Sequence, residues 1–151
     1  MISAFSSNVI LDDANVKDSL SKYSGFVHMV NNASVSVNRL KFKYSKSRMQ
    51  GSAFYIEGEG STELKLLNCP EELEYFESIL NGGFLYNSNP DLILNITDCK
   101  INHVFSNADG GLLYFESGSA IKINNLGIEN ITSIGDGGFL YSIFEGTVFN
   151  I

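Results

Sequence analysis

Gly110-Gly111-Leu112-Leu113-Tyr114 is one copy of a short phrase that sets the pattern for the whole chain. Further copies, two close and two weaker, lie at 82–86, 137–141, 51–55 and 24–28. The five copies begin 27, 31, 28 and 27 residues apart. A recurring period of this size is the signature of a repeat architecture, in which each repeat is one structural unit.

A second phrase of alternating apolar residues, with one two-residue break, follows each copy of the first. Its clearest form is Ile121, Ile123, Leu126 and Ile128. Alternation places one face of a strand inward, and the break predicts a corner. The other copies are Val9/Leu11/Ala14/Val16, Val35/Val37/Leu40/Phe42, Leu64/Leu66/Cys69, Leu94/Ile96/Cys99/Ile101 and the beginning of one at Phe149/Ile151.

These two phrases predict an all-β fold, because a period of 27–31 residues allows about three short strands and three turns per coil. One coil cannot bury its apolar face alone, so coils stack and share a core. Parallel crossovers are nearly always right-handed. We therefore predict a right-handed parallel β-helix (solenoid) of about five coils. A leucine-rich repeat has a similar period, but its consensus is absent.

Residues 70–80 depart from the strand pattern. Pro70 is suited to a first helical position, and acidic residues follow it. Leu73, Phe76 and Leu80 would share one helical face, and Asn81 with the following glycine would end the run. The pattern predicts a short amphipathic helix near 70–80 that replaces one strand of its coil.

The Gly-Gly-apolar-apolar-Tyr phrase resembles the Gly-Gly-Ala-Ile repeats of chlamydial polymorphic outer membrane proteins. It also resembles the pectin-lyase-like β-helix repeats of large ciliate surface proteins. The resemblance covers nearly the whole chain, from about Ser3 to Ile151. It implies an extracellular or cell-surface location and a structural or adhesive role.

The two cysteines, Cys69 and Cys99, occupy the same repeat position 30 residues apart. Stacked coils would place their Cα atoms ~4.8 Å apart, within the range of a disulfide. One interpretation is a disulfide between adjacent coils, which would indicate an oxidising compartment. The other is a pair of reduced thiols at the core position that Leu126 fills in the next coil, and the parallel direction of stacked Cβ atoms favours it.

Three Asn-x-Ser/Thr sequons begin at Asn32, Asn95 and Asn130. Asn95 lies between the inward positions 94 and 96, and Asn130 precedes the inward position 131, so both side chains are expected to point outward. One interpretation is N-glycosylation of a secreted protein. The other is chance, because a chain rich in Asn, Ser and Thr is expected to contain such matches.

The tyrosines that end the first phrase form a column, with His28 below them: Tyr55, Tyr86, Tyr114 and Tyr141. If Leu85 faces inward, this column and the Phe84 column face outward, where an aromatic ladder could stack on sugar rings or on another filament. The favoured alternative is a column that faces inward or stacks on itself for stability.

The turn before each first phrase holds Gln50, Asn81, Asp109 and Asp136. Stacked carboxylates could hold Ca²⁺, but ordinary turn chemistry explains these residue types better, so we expect no metal.

Charged residues form a basic block and an acidic block at comparable positions of adjacent coils. This predicts ion pairs between coils, each weak at a surface. The members are Arg39, Lys41, Lys43, Lys46 and Arg48, and then Glu71, Glu72, Glu74 and Glu77.

Composition narrows the classes of function. The 151 residues are 44% hydrophobic and 18% charged, as in globular domains, and the net charge of −7 disfavours nucleic acid as a partner. No apolar run approaches the ~20 residues of a membrane span. His28 and His103 have no evident nucleophile partner, so we expect no enzyme and no cofactor.

Together these features predict one β-helix segment over residues 1–151 that belongs to a longer chain or stack. Its expected function is structural, in an extracellular or cell-surface assembly that is fibrous and glycosylated. Copies of the chain or flanking coils would contact it end to end. The alternative is a carbohydrate-binding or adhesion module that uses the tyrosine ladder, and a polysaccharide-acting enzyme ranks below both.

Overall fold

The computed structural model describes residues 1–23, 25–143 and 148–150. All the regular secondary structure within these ranges is β-strand. The strands are β1 (Ile2–Phe5), β2 (Asn8–Asp12), β3 (Asn15–Ser21), β4 (Val27–Val30), β5 (Ser34–Asn38), β6 (Lys41–Ser47), β7 (Phe54–Glu57), β8 (Thr62–Leu67), β9 (Leu73–Ser78), β10 (Leu85–Asn87), β11 (Leu92–Ser106), β12 (Leu113–Phe115), β13 (Ser119–Ser133), β14 (Leu140–Ser142) and β15 (Val148–Asn150).

Equivalent strands of successive coils pair in parallel. The strand that ends each first phrase belongs to a six-stranded sheet with the order β1-β4-β7-β10-β12-β14. A nine-stranded sheet follows the order β2-β5-β8-β11-β9-β6-β3, with β13 on β11 and β15 on β13. Strand β11 continues around a corner, so its first half pairs with β8 and its second half with β9. The chain is thus an all-β parallel β-solenoid of about five turns, as predicted.

The core lies inside the coils, where the alternating residues of each second phrase stack on one another. Leu94 pairs in register with Leu64 below and Ile121 above, and all three are buried. The predicted corner is also confirmed, because the break between Ile123 and Leu126 contains Asn125 in the left-handed conformation, with φ 50°. Other corners repeat this conformation at Asp13, Arg39, Asn68 and Asp98.

The prediction that the Phe84 column faces outward is wrong. Phe84 is fully buried, and its ring meets Phe54 and Phe76 edge to face at centroid distances of 5.4 and 4.8 Å. The residue lies in the bend before β10, not in the strand itself, so the alternation that directs Leu85 inward does not extend back to it.

The predicted helix near 70–80 is also wrong, because Leu73–Ser78 forms strand β9 between β6 and β11. Leu73 and Phe76 both face the core although they are three residues apart. Tyr75 adopts a left-handed conformation, with φ 62°, and this outward kink shifts the alternation by one residue. We call the kink a bulge, although Tyr44 and His103 lie opposite Tyr75 in the neighbouring coils and no strand carries an extra residue. The same bulge recurs once per coil, at Asp18, Tyr44, His103 and Asn130.

A column of serines forms a third phrase that the sequence analysis missed. Ser47, Ser78 and Ser106 are fully buried. Each lies three residues after the left-handed residue of its coil, as Ser78 does after Tyr75. The Ser106 hydroxyl lies 2.8 Å from the carbonyl oxygen of Leu80 and 3.0 Å from that of Asp109. These hydroxyls satisfy backbone carbonyls in the turn that leads to the next Gly-Gly phrase.

The two glycines of the first phrase serve different purposes. The first, for example Gly110, has φ 64°, which a residue with a side chain rarely adopts. The second allows adjacent coils to approach, since a Cβ on Gly111 would lie 2.1 Å from the carbonyl oxygen of Gly138. The Gly-Gly pair therefore sets both the turn and the spacing of coils.

Candidate functional site

The predicted tyrosine ladder exists, and its rings stack on one another. Neighbouring ring centroids along Tyr55, Tyr86, Tyr114 and Tyr141 are 5.1, 5.5 and 5.3 Å apart, with interplanar angles of 8–9°. Tyr86 and Tyr114 are only 4% and 6% exposed. Each flat ring face is covered by the next ring, so the arrangement favours the self-stacking alternative over a platform for sugars.

Burial and neighbouring carboxylates raise the pKa of three phenols of this ladder, those of Tyr55, Tyr86 and Tyr114. Burial, together with the nearby Glu57 carboxylate, raises the pKa of Tyr55 to about 12. Burial and a hydrogen bond to Glu116 raise the pKa of Tyr86 further. Such groups act as hydrogen-bond donors to the carboxylates beside them, which is a structural role.

The cysteines are joined. Cys69 and Cys99 form a disulfide between adjacent coils, with Cα atoms 4.7 Å apart. Cys99 lies in β11 just past the corner, and it packs with the buried core. Of the two interpretations kept above, the structure adopts the disulfide.

The three sequons lie in different settings. Asn32 is exposed in the turn between β4 and β5, and Asn95 is half-buried on the outer face of β11. Asn130 is exposed, with φ 52°, and its Nδ2 donates to Oδ1 of Asn102 at 2.9 Å. All three predicted glycosylation sites are accessible to differing degrees, and their use stays a prediction.

The carboxylates before the Gly-Gly phrase take part in turn hydrogen bonds. Oδ1 of Asp109 accepts from the backbone N–H of Asp136 at 2.8 Å, and the N–H of Asp109 donates to Oδ1 of Asn81 at 3.1 Å. Among residues 1–23, 25–143 and 148–150, no three His, Cys, Asp or Glu side chains are grouped to hold a metal ion.

The predicted ion pairs between the basic and acidic blocks are confirmed for three lysines. The Nζ atoms of Lys41, Lys43 and Lys46 lie 2.7, 3.6 and 2.6 Å from carboxylate oxygens of the next coil. Those carboxylates belong to Glu71, Glu74 and Glu77. Lys41 also holds the pKa of Glu71 below its ordinary value. These pairs link adjacent coils on this face.

A second aromatic ladder, absent from the sequence predictions, stands on the bulge residues. The ring centroids of Tyr44 and Tyr75 are 4.8 Å apart at 7°, and those of Tyr75 and His103 are 4.7 Å apart at 18°. Tyr44 and Tyr75 are 52% and 41% exposed. Because the rings cover one another's faces, their edges are what solvent reaches. The steps of 31 and 28 residues repeat those of the Gly-Gly phrase, a signal that the sequence did contain.

This ladder forms one wall of a groove of about 750 Å³ that crosses the coils. Asp18 lies at one end and Asn130 at the other, four coil steps of ~4.8 Å apart, or ~19 Å. The buried Phe76 and Val104 separate the walls from the core. The opposite wall consists of Leu20, Lys46, Glu77, Phe105 and Thr132.

No helix in the described part of the chain is long and apolar enough to cross a membrane. No protein-family model matches the chain, no curated protein is significantly similar to it, and no solved structure matches it.

Proposed function

We propose that this chain is a structural solenoid segment of an extracellular or cell-surface assembly. The observation that carries the proposal is the Cys69–Cys99 disulfide between adjacent coils. Structural disulfides persist in secreted and surface proteins and are rare where thiols are kept reduced. The likeness to pectin-lyase-like surface-protein repeats, fibrous assembly and glycosylation belong to the same proposal.

The first coil has an edge that another coil would complete. Within the described residues, β1, β2 and β3 each pair with a strand on one side only. Their other side presents backbone N–H and C=O groups, which readily pair with another strand. The inward-facing Val9 and Leu11 of β2 are only partly buried there, whereas Val35 and Val37 of the next coil are fully buried. A further coil, from the same chain or from a second copy, would satisfy both the backbone and the apolar residues.

The distribution of charge gives a second line of support. Arg39 makes a bidentate pair with Asp13 at 2.6 and 2.7 Å, and Lys100 pairs with both Glu72 and Glu129. Charges engaged in coil-to-coil pairs stabilise the stack and are not directed at a reacting centre. This use of charge suits a scaffold better than a catalyst.

The test is the intact mass of the protein isolated from its native source, measured with and without reductant after thiol alkylation. We expect no alkylation of Cys69 and Cys99 without reductant, two alkylated thiols after reduction, and sugar mass at Asn95 or Asn130. A Cys99→Ser variant supplies the control with one free thiol. Two free thiols and an unmodified mass would contradict an extracellular location.

Assembly is tested separately by light scattering and electron microscopy over a range of protein concentrations. We expect end-to-end particles whose length grows with concentration. Ile10→Lys places a charge on the open edge and should shorten the particles, because charged residues on edge strands oppose further pairing. Ser36→Lys, on the same outer column of the already paired β5, is the matched control. Particles unaffected by either change, or monomers throughout, would refute the assembly role.

A further inference from the structure

Of the coil-to-coil ion pairs described above, the groove beside the second ladder contains only that of Lys46 with Glu77. It runs across five coils, from Asp18 to Asn130, parallel to the direction in which coils stack. An elongated site of ~19 Å fits a linear chain lying along the solenoid axis better than a compact molecule.

We infer that this groove binds an oligosaccharide along the exposed edges of Tyr44, Tyr75 and His103. The inference goes beyond the scaffold function and does not depend on it. Each ring edge presents a polar group, a phenolic hydroxyl or an imidazole nitrogen, and these groups recur once per coil. Sugars likewise repeat hydroxyl groups along their length, so the spacing offers one polar contact after another.

The opposite wall supplies both halves of what a sugar ring requires. Leu20 and Phe105 offer apolar surface, and the Thr132 hydroxyl offers a hydrogen bond. Carbohydrates combine apolar C–H faces with hydroxyl rims, and sites that bind small molecules pair apolar walls with a few placed polar groups.

The charges of the groove favour a neutral ligand. Nζ of Lys46 and Oε1 of Glu77 lie 2.6 Å apart and neutralise one another within the wall. Asp18 adds one acidic group at an end. Phosphate-containing ligands need unpaired cations, and this groove offers none among its described lining residues.

A peptide lying along the groove fits less well because the three strands in its middle, β6, β9 and β11, have no free edge there. Strand β6 is paired with β3 and β9, and β9 is paired with β6 and β11. An extended peptide gains its affinity by adding a strand to an open edge. The groove therefore offers side chains alone, as a sugar-binding site does.

The sequon at Asn130 places a possible attachment point inside the groove itself. Asn130 lines the groove, and its Nδ2 donates to Asn102 at 2.9 Å. A glycosylated amide keeps one N–H, so this bond can persist and direct the first sugar. The oligosaccharide thus has two sources, the glycan carried by Asn130 and a glycan of another molecule, and the experiment separates them.

The first arm uses protein made in a host without N-glycosylation and a panel of neutral gluco-, manno- and chito-oligosaccharides, with binding measured by calorimetry. The variant is Tyr75→Asn, because Asn130 shows that asparagine adopts the left-handed conformation at this repeat position. Tyr23→Asn, at an exposed tyrosine outside the groove, is the control. We expect at least one sugar to bind, about tenfold or more weaker to Tyr75→Asn and unchanged for Tyr23→Asn.

The second arm uses secreted, glycosylated protein and follows release of sugar by an endoglycosidase at Asn130 and Asn95. We expect slow release at Asn130 in the wild type and equal release at both sites in Tyr75→Asn. His103→Asn repeats both arms in case Tyr75→Asn does not fold. Binding in the first arm assigns the groove to a glycan of another molecule, and protection in the second assigns it to the chain's own glycan. No binding together with no protection, or effects that the groove variants leave unchanged, would overturn the inference.

Discussion

The buried serine column gives the sharpest test of how the coils are held together. Ser106 is fully buried, and its single hydroxyl proton is shared between the carbonyl oxygens of Leu80 and Asp109, at 2.8 and 3.0 Å. Ser106→Ala removes that bond, while the Leu80 carbonyl keeps the Ser78 hydroxyl as a donor and the Asp109 carbonyl keeps the N–H of Gly82. The loss of one buried hydrogen bond should cost about 1 kcal/mol in the free energy of unfolding.

The matched control is Ser133→Ala, at the same position of the next coil. Ser133 donates to Gly135 and Asp136, at 3.2 and 3.5 Å, but it is only half-buried, so water can replace its hydroxyl. We expect a cost of about 0.5 kcal/mol or less.

Urea denaturation followed by circular dichroism measures both variants. The corresponding melting temperatures should fall by about 2–4 °C for Ser106→Ala and by very little for Ser133→Ala. Equal effects at the two positions, or no effect at Ser106, would refute the argument that burial makes these hydroxyls matter.

Three further predictions follow from the packing of coils. Gly111→Ala should destabilise the fold by about 1–3 kcal/mol because its Cβ would meet a backbone oxygen at 2.1 Å. Gly138→Ala, where a Cβ meets nothing within 4 Å, should fold normally by the same denaturation assay. Cys99→Ser opens a loop with a sequence separation of 30 and should cost about 3–4 kcal/mol relative to the oxidised protein, and nothing relative to the reduced one. The Tyr55 phenol, whose pKa rises from 10.0 to about 12 in the fold, contributes stability that is complete below pH 10 and is lost as the pH rises through 12. Tyrosinate absorbance during an alkaline titration should therefore show a late phase from the ladder tyrosines, and Tyr55→Phe should reduce its amplitude without abolishing it.

The repeat phrases were enough to predict the solenoid, because stacked coils demand that equivalent residues recur. The alternation of Leu94 and Ile96, and the break before Cys99, correspond directly to strand and corner in β11. The ion pairs between coils could also be predicted, because a lysine and a glutamate one period apart lie next to each other when the coils stack.

The bulges could not be predicted from the sequence because the residues that occupy them are of different chemical types. Residues in the left-handed conformation are usually glycine or asparagine, yet Tyr44 and Tyr75 adopt that conformation here. Their bulge gives a strand the spacing of a helix, which produced the false helix near 70–80. It also hid the second ladder, whose groove arises only when five coils are stacked.

The disulfide between adjacent coils has a mechanical consequence. Its two ends are 30 residues apart in sequence, and a fully extended chain of that length spans about 100 Å. A molecule pulled by its two ends would peel open coil by coil, but this loop would stay folded out of the path of the force. Reduction of the disulfide would therefore add about 100 Å to the length that the chain can reach under force. The redox state of the surroundings would thus set how far the protein can be extended.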